Sequence, residues 1–407
     1  MTALLRHLPA LAFAVLACGC AEQPLTGPAP QAPQAAQAAP WADATAGQAA
    51  RFAPVFDEVD AWVAKRAFPG AVLAVGVDGR LVALKAFGRL DSSPGAPAMP
   101  VDAVFDLASL TKVVATTTAI ALLCDEGLVK LDEPVVRYLP EFAGVSGHER
   151  ITVRHLLAHN SGLPSPMLLW KHAGSRAELL DLVYRLPVQA PPGAEFHYRD
   201  ENFILLGEIV QRVGGLPLDR FVSTRVFEPL GMAETGFNPP ASLLPRIPAT
   251  EQDEHCRHRL VRGTVHDENA DVMGGVAGHA GLFSTAADLA RLAEMILDRG
   301  QAGGRRFLSP QTLDSFLARQ HQPPGSSRTL GWDTPEPGGL AGPRASADAV
   351  LHTGFTGTSL YIDRSRRAFV VLLTNRVNPS RDNKLIGPAR TAIHSAVLQA
   401  LDAGAGR

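Results

Sequence analysis

Twelve residues, Val113 to Cys124, run Val-Val-Ala-Thr-Thr-Thr-Ala-Ile-Ala-Leu-Leu-Cys without a single charge. A segment that apolar belongs inside a fold, and its length favours a helix. At its head stands Ser109-Leu-Thr-Lys112, and Val104–Ala108 reads as a short strand leading into a turn. In a helix, Ser109 and Lys112 share one face with their Cβ atoms in reach of each other. A hydroxyl at a helix N-terminus also sits where free N–H groups and the helix dipole favour developing negative charge. These are the parts of an acyl-transfer nucleophile: an amine to take the proton and donors to hold an oxyanion.

Ser-x-x-Lys is a short pattern, and a serine at a helix start is commonly an N-cap. Two facts favour the catalytic reading. The chain has six lysines, and only Lys112 has a serine three residues before it. A charged lysine at the head of an apolar helix is also costly unless something requires it.

The chain of 407 residues, with a formal net charge of −2, is long enough for a large core in one domain or two lobes. Few aromatics and no basic stripe argue against a nucleic-acid partner. Residues 1–20 read as an export signal: Arg6 and His7 precede the apolar segment Leu8–Ala17, too short to span a bilayer. Val15-Leu-Ala-Cys18 and Ala17-Cys-Gly-Cys20 each resemble a bacterial lipoprotein cleavage box, so lipidation is expected on Cys18 or Cys20. Residues 21–47, rich in Pro, Ala and Gln, suit a tether. The protein is thus expected to be exported, periplasmic and held to the membrane by a lipid. Cys124 and Cys256 are the only body cysteines and make no disulfide framework.

Ala49–Arg66 has helical periodicity, and two apolar runs, Ala71–Gly76 and Leu81–Phe87, flank Asp78-Gly79, a hairpin signal. Ile151–His159, Asn202–Val213 and Ala286–Arg299 read as helices, Ser359–Asp363 and Ala368–Thr374 as strands, and about Pro388–Leu401 as a closing helix. The expected fold is α/β of the α+β type: a mainly antiparallel sheet flanked by helices. Its sheet lobe would cover 48–108 and 270–405, with an inserted helical lobe over 109–269 and a cleft at the junction.

Two further segments could meet Ser109 there. Phe196-His-Tyr-Arg-Asp-Glu-Asn202 places Tyr198 and Asp200 on the turn into a helix. A tyrosine near cations can relay a proton, although Tyr198 could simply pack and Asp200 cap the helix. His352-Thr-Gly-Phe-Thr-Gly357 precedes a strand. On an edge strand its small residues would let a substrate carbonyl approach a backbone N–H; otherwise it is a plain glycine turn.

In this order and spacing, the three elements resemble the serine β-lactamase and penicillin-binding-protein superfamily: Ser-x-x-Lys, a tyrosine motif and a Lys-Thr-Gly-type box. Leu156-Leu-Ala-His-Asn-Ser-Gly-Leu-Pro164 and Gly275-Val-Ala-Gly-His-Ala-Gly-Leu-Phe-Ser284 add to the likeness, which is greatest for the class C-like branch. Gly263-Thr-Val-His-Asp-Glu-Asn-Ala270 is similar to a stretch of D-alanyl-D-alanine carboxypeptidase-like members. The resemblance implies that Ser109 becomes acylated, that Lys112, neutral when substrate is bound, takes its proton, and that Tyr198 exchanges protons with Ser109 and the leaving group. The N–H groups of Ser109 and Phe355 would form the oxyanion hole, with Asp200, His352, Thr353, Gly354 and Phe355 binding substrate. No cofactor or metal is implied.

Two residues depart from the pattern. Asp200 stands where relatives often have an amide that contacts substrate, and an ionised carboxylate cannot donate as an amide can. His352 replaces lysine, and a partly charged imidazole should anchor a substrate carboxylate less well. The expected function is a serine hydrolase acting on a cell-wall peptide or β-lactam, with an esterase or a non-catalytic penicillin-binding-fold protein as alternatives. Glu251, His255, Cys256, His258, His266, Asp267, Glu268 and His279 cluster in sequence, but their spacing matches no metal motif, and packing or a surface loop accounts for them better.

Overall fold

The computed structural model describes residues 49–164 and 168–404. The expected leader, Cys18, Cys20 and the tether lie outside the described residues. In chain order, the elements that frame the site are helix α1 (Ala49–Ala64), strands β1 (Gly70–Val77) and β2 (Arg80–Gly88), and helices α2 (Thr118–Asp125), α3 (Asp200–Gly214) and α4 (Ala286–Leu297). Strands β3 (Val350–Thr353), β4 (Ser359–Asp363) and β5 (Ala368–Thr374) and helix α5 (Ile386–Gly404) complete them.

The five strands form one antiparallel sheet in the order β3-β4-β5-β1-β2. It is assembled from both ends of the chain: Ala71 of β1 lies opposite Thr374 of β5, and Val77 opposite Ala368. Both faces are covered, which is why β1 and β5 read as continuous apolar runs rather than alternating ones. Ala71, Leu73, Val75, Val370 and Leu372 pack with Phe52, Val55 and Val59 of α1 and Ile393 and Val397 of α5. Their neighbours Val72, Ala74, Phe369, Val371 and Leu373 point the other way, into the core that includes Leu289 and Ala293 of α4. The β1–β2 turn is the expected one: Asp78 (φ 48°) and Gly79 (φ 72°) both take the left-handed conformation that a two-residue hairpin favours. Gly76 is required for another reason, since a Cβ there would lie 2.1 Å from the Phe369 ring across the ladder.

The uncharged run departs from a regular α-helix. A 3₁₀ turn (Ala108–Leu110) is followed by a π turn (Lys112–Thr117) and only then by α2. Side-chain bonds hold the wider turn. Thr118 Oγ1 donates to the Val113 carbonyl at 2.9 Å, and Thr116 Oγ1 to the Gly278 carbonyl at 2.6 Å. π turns inside helices recur at functional sites, and this one begins on Lys112. Leu110, Val113, Val114, Ile120 and Leu123 are fully buried, so the run is the core segment its composition demands.

Candidate active site

Ser109 is presented by a braced turn. Phe105–Asp106 pairs with Leu282–Ser284, after which Ala108 takes a positive φ of 46°. That conformation is unfavourable for a residue with a Cβ. Asp106 offsets it: one carboxylate oxygen accepts from the Ala108 N–H at 2.8 Å, the other from the His266 N–H at 2.7 Å. The turn after β3 is fastened to the same segment. Thr356 Oγ1 donates to the Asp106 carbonyl at 2.8 Å and Thr358 Oγ1 to the Leu107 carbonyl at 3.0 Å. Gly354 allows this approach, because a Cβ there would lie 2.3 Å from the Leu107 oxygen.

The Lys112 side chain is fully buried, with three oxygens around its ammonium group. Ser109 Oγ lies at 2.9 Å, the His279 carbonyl at 3.0 Å and Asp200 Oδ1 at 2.6 Å. Tyr198 presents its ring to the same nitrogen, 5.0 Å from the centroid. Burial alone would lower the Lys112 pKa, but the charge of Asp200, and after it Tyr198, reverses this and holds the amine above the ordinary lysine value. In the resting site the amine is therefore held protonated, whereas the neutral form implied by the resemblance belongs to the substrate-bound state. Asp200 is the reason: it begins α3, where the helix dipole favours its negative charge, and its carboxylate is turned onto Lys112.

His159 fixes the tyrosine segment. Its carbonyl accepts from the His197 N–H at 2.9 Å, its Nδ1 from the Arg199 N–H at 3.1 Å, and its ring stacks on Tyr198 at 4.5 Å between centroids. Burial, with the charges of Arg328 and Lys112, holds His159 neutral, well below the usual histidine range.

His352 lies on β3, the edge of the sheet, and lines a cleft of about 360 Å³ together with Ser109, Tyr198, Thr353, Gly354 and Phe355. The site residues anticipated on three separate segments thus meet, with Asp200 behind them on Lys112. The partial charge expected of His352 is absent: burial, then Arg328 and Lys112, pushes its pKa well below the usual range. Its Nδ1 donates to the Thr353 carbonyl at 3.0 Å, so Nε2 carries a lone pair, buried and without a hydrogen-bond partner among the described residues.

The cations of the cleft are arginines that the motif reading did not single out. Arg328 packs over Phe196 at 4.8 Å and Tyr198 at 5.7 Å and reaches Asp333 at 3.2 Å. Arg376 covers the Phe355 ring at 4.2 Å and donates to the carbonyls of Phe355, Arg381 and Asn383. Arg390 donates to the carbonyls of Gly354 and Thr358, and burial next to Arg376 lowers its pKa to about 9. No local pattern marks these arginines; Arg376 and Arg390 bond across the chain to main-chain oxygens.

Most acids of 251–279 are met by neighbouring side chains or N–H groups. Glu251 receives His266 Nε2 at 2.7 Å and a forked contact from Arg381, which continues to Glu268 at 2.7 Å. Asp253 accepts the N–H groups of His255, Cys256 and Arg257, and Asp267 holds His279 Nε2 at 2.9 Å. Among the described residues no group of three or more such side chains is arranged to hold a metal.

The Beta-lactamase family profile matches residues 42–394. A Salmonella enteritidis PT4 protein, provisionally named a D-alanyl-D-alanine carboxypeptidase, is 31% identical over 371 residues, 81% of this chain and 84% of that relative. A penicillin-binding-protein homologue from Caulobacter crescentus shares the fold with a TM-score of 0.70 at 23% identity, over 86% of this chain and 97% of that one. EstCE1, a hydrolase with promiscuous acyltransferase activity, gives 0.68 at 22% identity, over 86% and 99%. A profile match over most of the chain, with Ser109 and Lys112 in hydrogen-bond contact at the cleft, identifies this protein as a member of the Beta-lactamase family, a serine hydrolase of the β-lactamase and penicillin-binding-protein fold.

Proposed function

We propose that the protein hydrolyses an amide whose leaving group ends in a carboxylate, as in a D-Ala-D-Ala-terminated cell-wall peptide. The observation that carries this reading is the charge of the cleft. Arg328, Arg376 and Arg390 line it against a single acid, Asp333, which pairs with Arg328; the other two direct their hydrogen bonds to main-chain carbonyls, leaving their charge for an anion. The name of the Salmonella relative agrees with it.

Ser109 Oγ attacks the carbonyl carbon, and its proton passes to the Lys112–Tyr198 pair. The N–H groups of Ser109 and Phe355 hold the oxyanion. As the C–N bond breaks, Tyr198 returns the proton to the departing amine, leaving Ser109 acylated. Water then attacks the ester and releases the acid. Thr353, Gly354 and Phe355 support the substrate along the edge of β3. The cleft's lining, with Ser109 and Tyr198 from 109–269 and His352 to Phe355 from 270–405, supports a position between the two lobes expected from the sequence, 48–108 with 270–405 and 109–269.

The apolar walls Leu340, Leu351 and Phe355 and the uncharged His352 also suit a neutral ester. Mass spectrometry separates the readings. Purified protein is treated with a fluorophosphonate, a penicillin, an acyl-D-Ala-D-Ala peptide and a short-chain ester. Adducts on Ser109 with release of D-alanine support the peptide reading; turnover of the ester alone overturns it. The export signal and the two cysteine boxes support a periplasmic, lipid-anchored location. Replacing both Cys18 and Cys20 should free the protein from the membrane fraction.

A further inference from the structure

The pairing of Asp200 with Lys112 gives the acid a role that the resemblance does not provide. We propose that Asp200 is a positioning residue that acts on Lys112 rather than on substrate, fixing the resting proton on the lysine and thereby setting the pH at which Ser109 becomes reactive. The inference rests on Ser109 being the nucleophile.

Geometry carries it. The Asp200 oxygen lies 2.6 Å from the ammonium nitrogen, nearer than Ser109 Oγ at 2.9 Å. The lysine side chain is fully buried, so the pair is shielded on that side from water and salt. Asp200 is not among the residues that line the cleft. An amide at this position would give the lysine a neutral acceptor; the carboxylate gives it a counter-charge. Attack by Ser109 needs a site that can receive a proton, and the lysine can do so only after losing one against the pull of Asp200.

The other groups facing Lys112 do not cancel that pull. Tyr198 adds to it. Asp267, paired to His279, adds a second negative charge nearby, and its own carboxyl is held down by His279 and Lys112. His159 and His352 are neutral, and the cations that act on those histidines besides Lys112 are Arg328 on both, Arg199 on His159 and Arg390 on His352.

The test is the second-order rate of fluorophosphonate labelling of Ser109 against pH, for the wild type, Asp200→Asn and Asp200→Glu. Asp200→Asn should move the rising limb to lower pH by at least about one unit, so that on the limb it labels roughly tenfold faster than the wild type. Asp200→Glu should return the limb toward the wild-type position. An unmoved limb overturns the proposal, whether the rate is unchanged or lowered at every pH; so does an unmoved limb with only a raised KM for substrate, the mark of a substrate contact. Because the variants could fail to fold, the Lys112 ¹³Cε signal of the wild type, resolvable among six lysines, is titrated as well. Loss of its charge at or below the pH of the other lysines also overturns the proposal. If the wild type labels at a serine other than Ser109, the nucleophile assignment fails instead.

Discussion

Two largely buried ionic clusters flank Ser109, and they are built differently. One is Glu251, His266, Arg381 and Glu268, in which the acids are met by neighbouring cations or N–H groups. The other is Lys112, Asp200 and Tyr198 with His159 and His352, whose two imidazoles each keep an Nε2 buried and without a hydrogen-bond partner among the described residues. A satisfied buried network specifies one packing, whereas an incomplete one is retained only where something else completes it. The first cluster accordingly reads as bracing, since His266 stacks on Phe355 and its N–H meets Asp106. The second reads as chemistry.

The largest separation between them should come from removing the lysine. Lys112→Ala should slow labelling of Ser109 by about 10²–10⁴-fold, the usual contribution of a positioned proton acceptor, with little loss of fold. Wild-type labelling by that variant would return Lys112 to a structural role.

Glu251→Ala should do the reverse. Breaking a buried pair leaves an uncompensated charge and costs about 3–5 kcal/mol. Urea unfolding should report that loss while the labelling rate per folded molecule changes far less. The same acid gives a pH signature: despite burial, His266 and Arg381 lower its carboxyl to about 2. Its contribution to stability is therefore complete above the ordinary carboxylate pKa and is lost as pH falls toward 2. A stability profile that is flat across that acid window, in the difference between wild type and Glu251→Gln, would remove the cluster from the account of stability.

Arg328→Met tests the cleft charge. It should reduce acylation efficiency for a carboxylate-terminated peptide by roughly tenfold to a hundredfold, the range of one charged hydrogen bond, and leave a neutral ester much less affected. Equal losses on both substrates would point to disturbed packing of Tyr198.

The smallest effect concerns His352. With its imidazole neutral, carboxylate-bearing and neutral substrates should show the same pH dependence of binding between about pH 5.5 and 7.5, around the ordinary histidine value. A selective weakening of carboxylate binding through that range would make His352 a cation after all.

Local patterns in the sequence carried much of this. The Asp78-Gly79 hairpin, the strands β4 and β5 and the Ser-x-x-Lys contact each depend on neighbours a few residues apart. The Asp200–Lys112 pair, the arginines bonded to the Gly354 and Phe355 carbonyls and the π turn do not. They arise only when distant segments meet: Asp200 was legible as a departure from a motif, but its target lay on another helix. His352 shows the same limit, since its charge is decided by burial and by Arg328 rather than by residue type.

The register of β1 against β5 has a temporal consequence. The hairpin β1–β2 emerges early in synthesis, but the ladder that completes one edge of β1 needs Ala368–Thr374, some three hundred residues later. Pairings of such long range are slow to form, and an incomplete sheet leaves its edges open to wrong partners. A chain halted before β5 would expose Leu73 and Val75 on a strand paired along one edge only. The nascent protein therefore has to be kept from premature association until almost its last helix has been made, a requirement that also suits a chain threaded unfolded across a membrane.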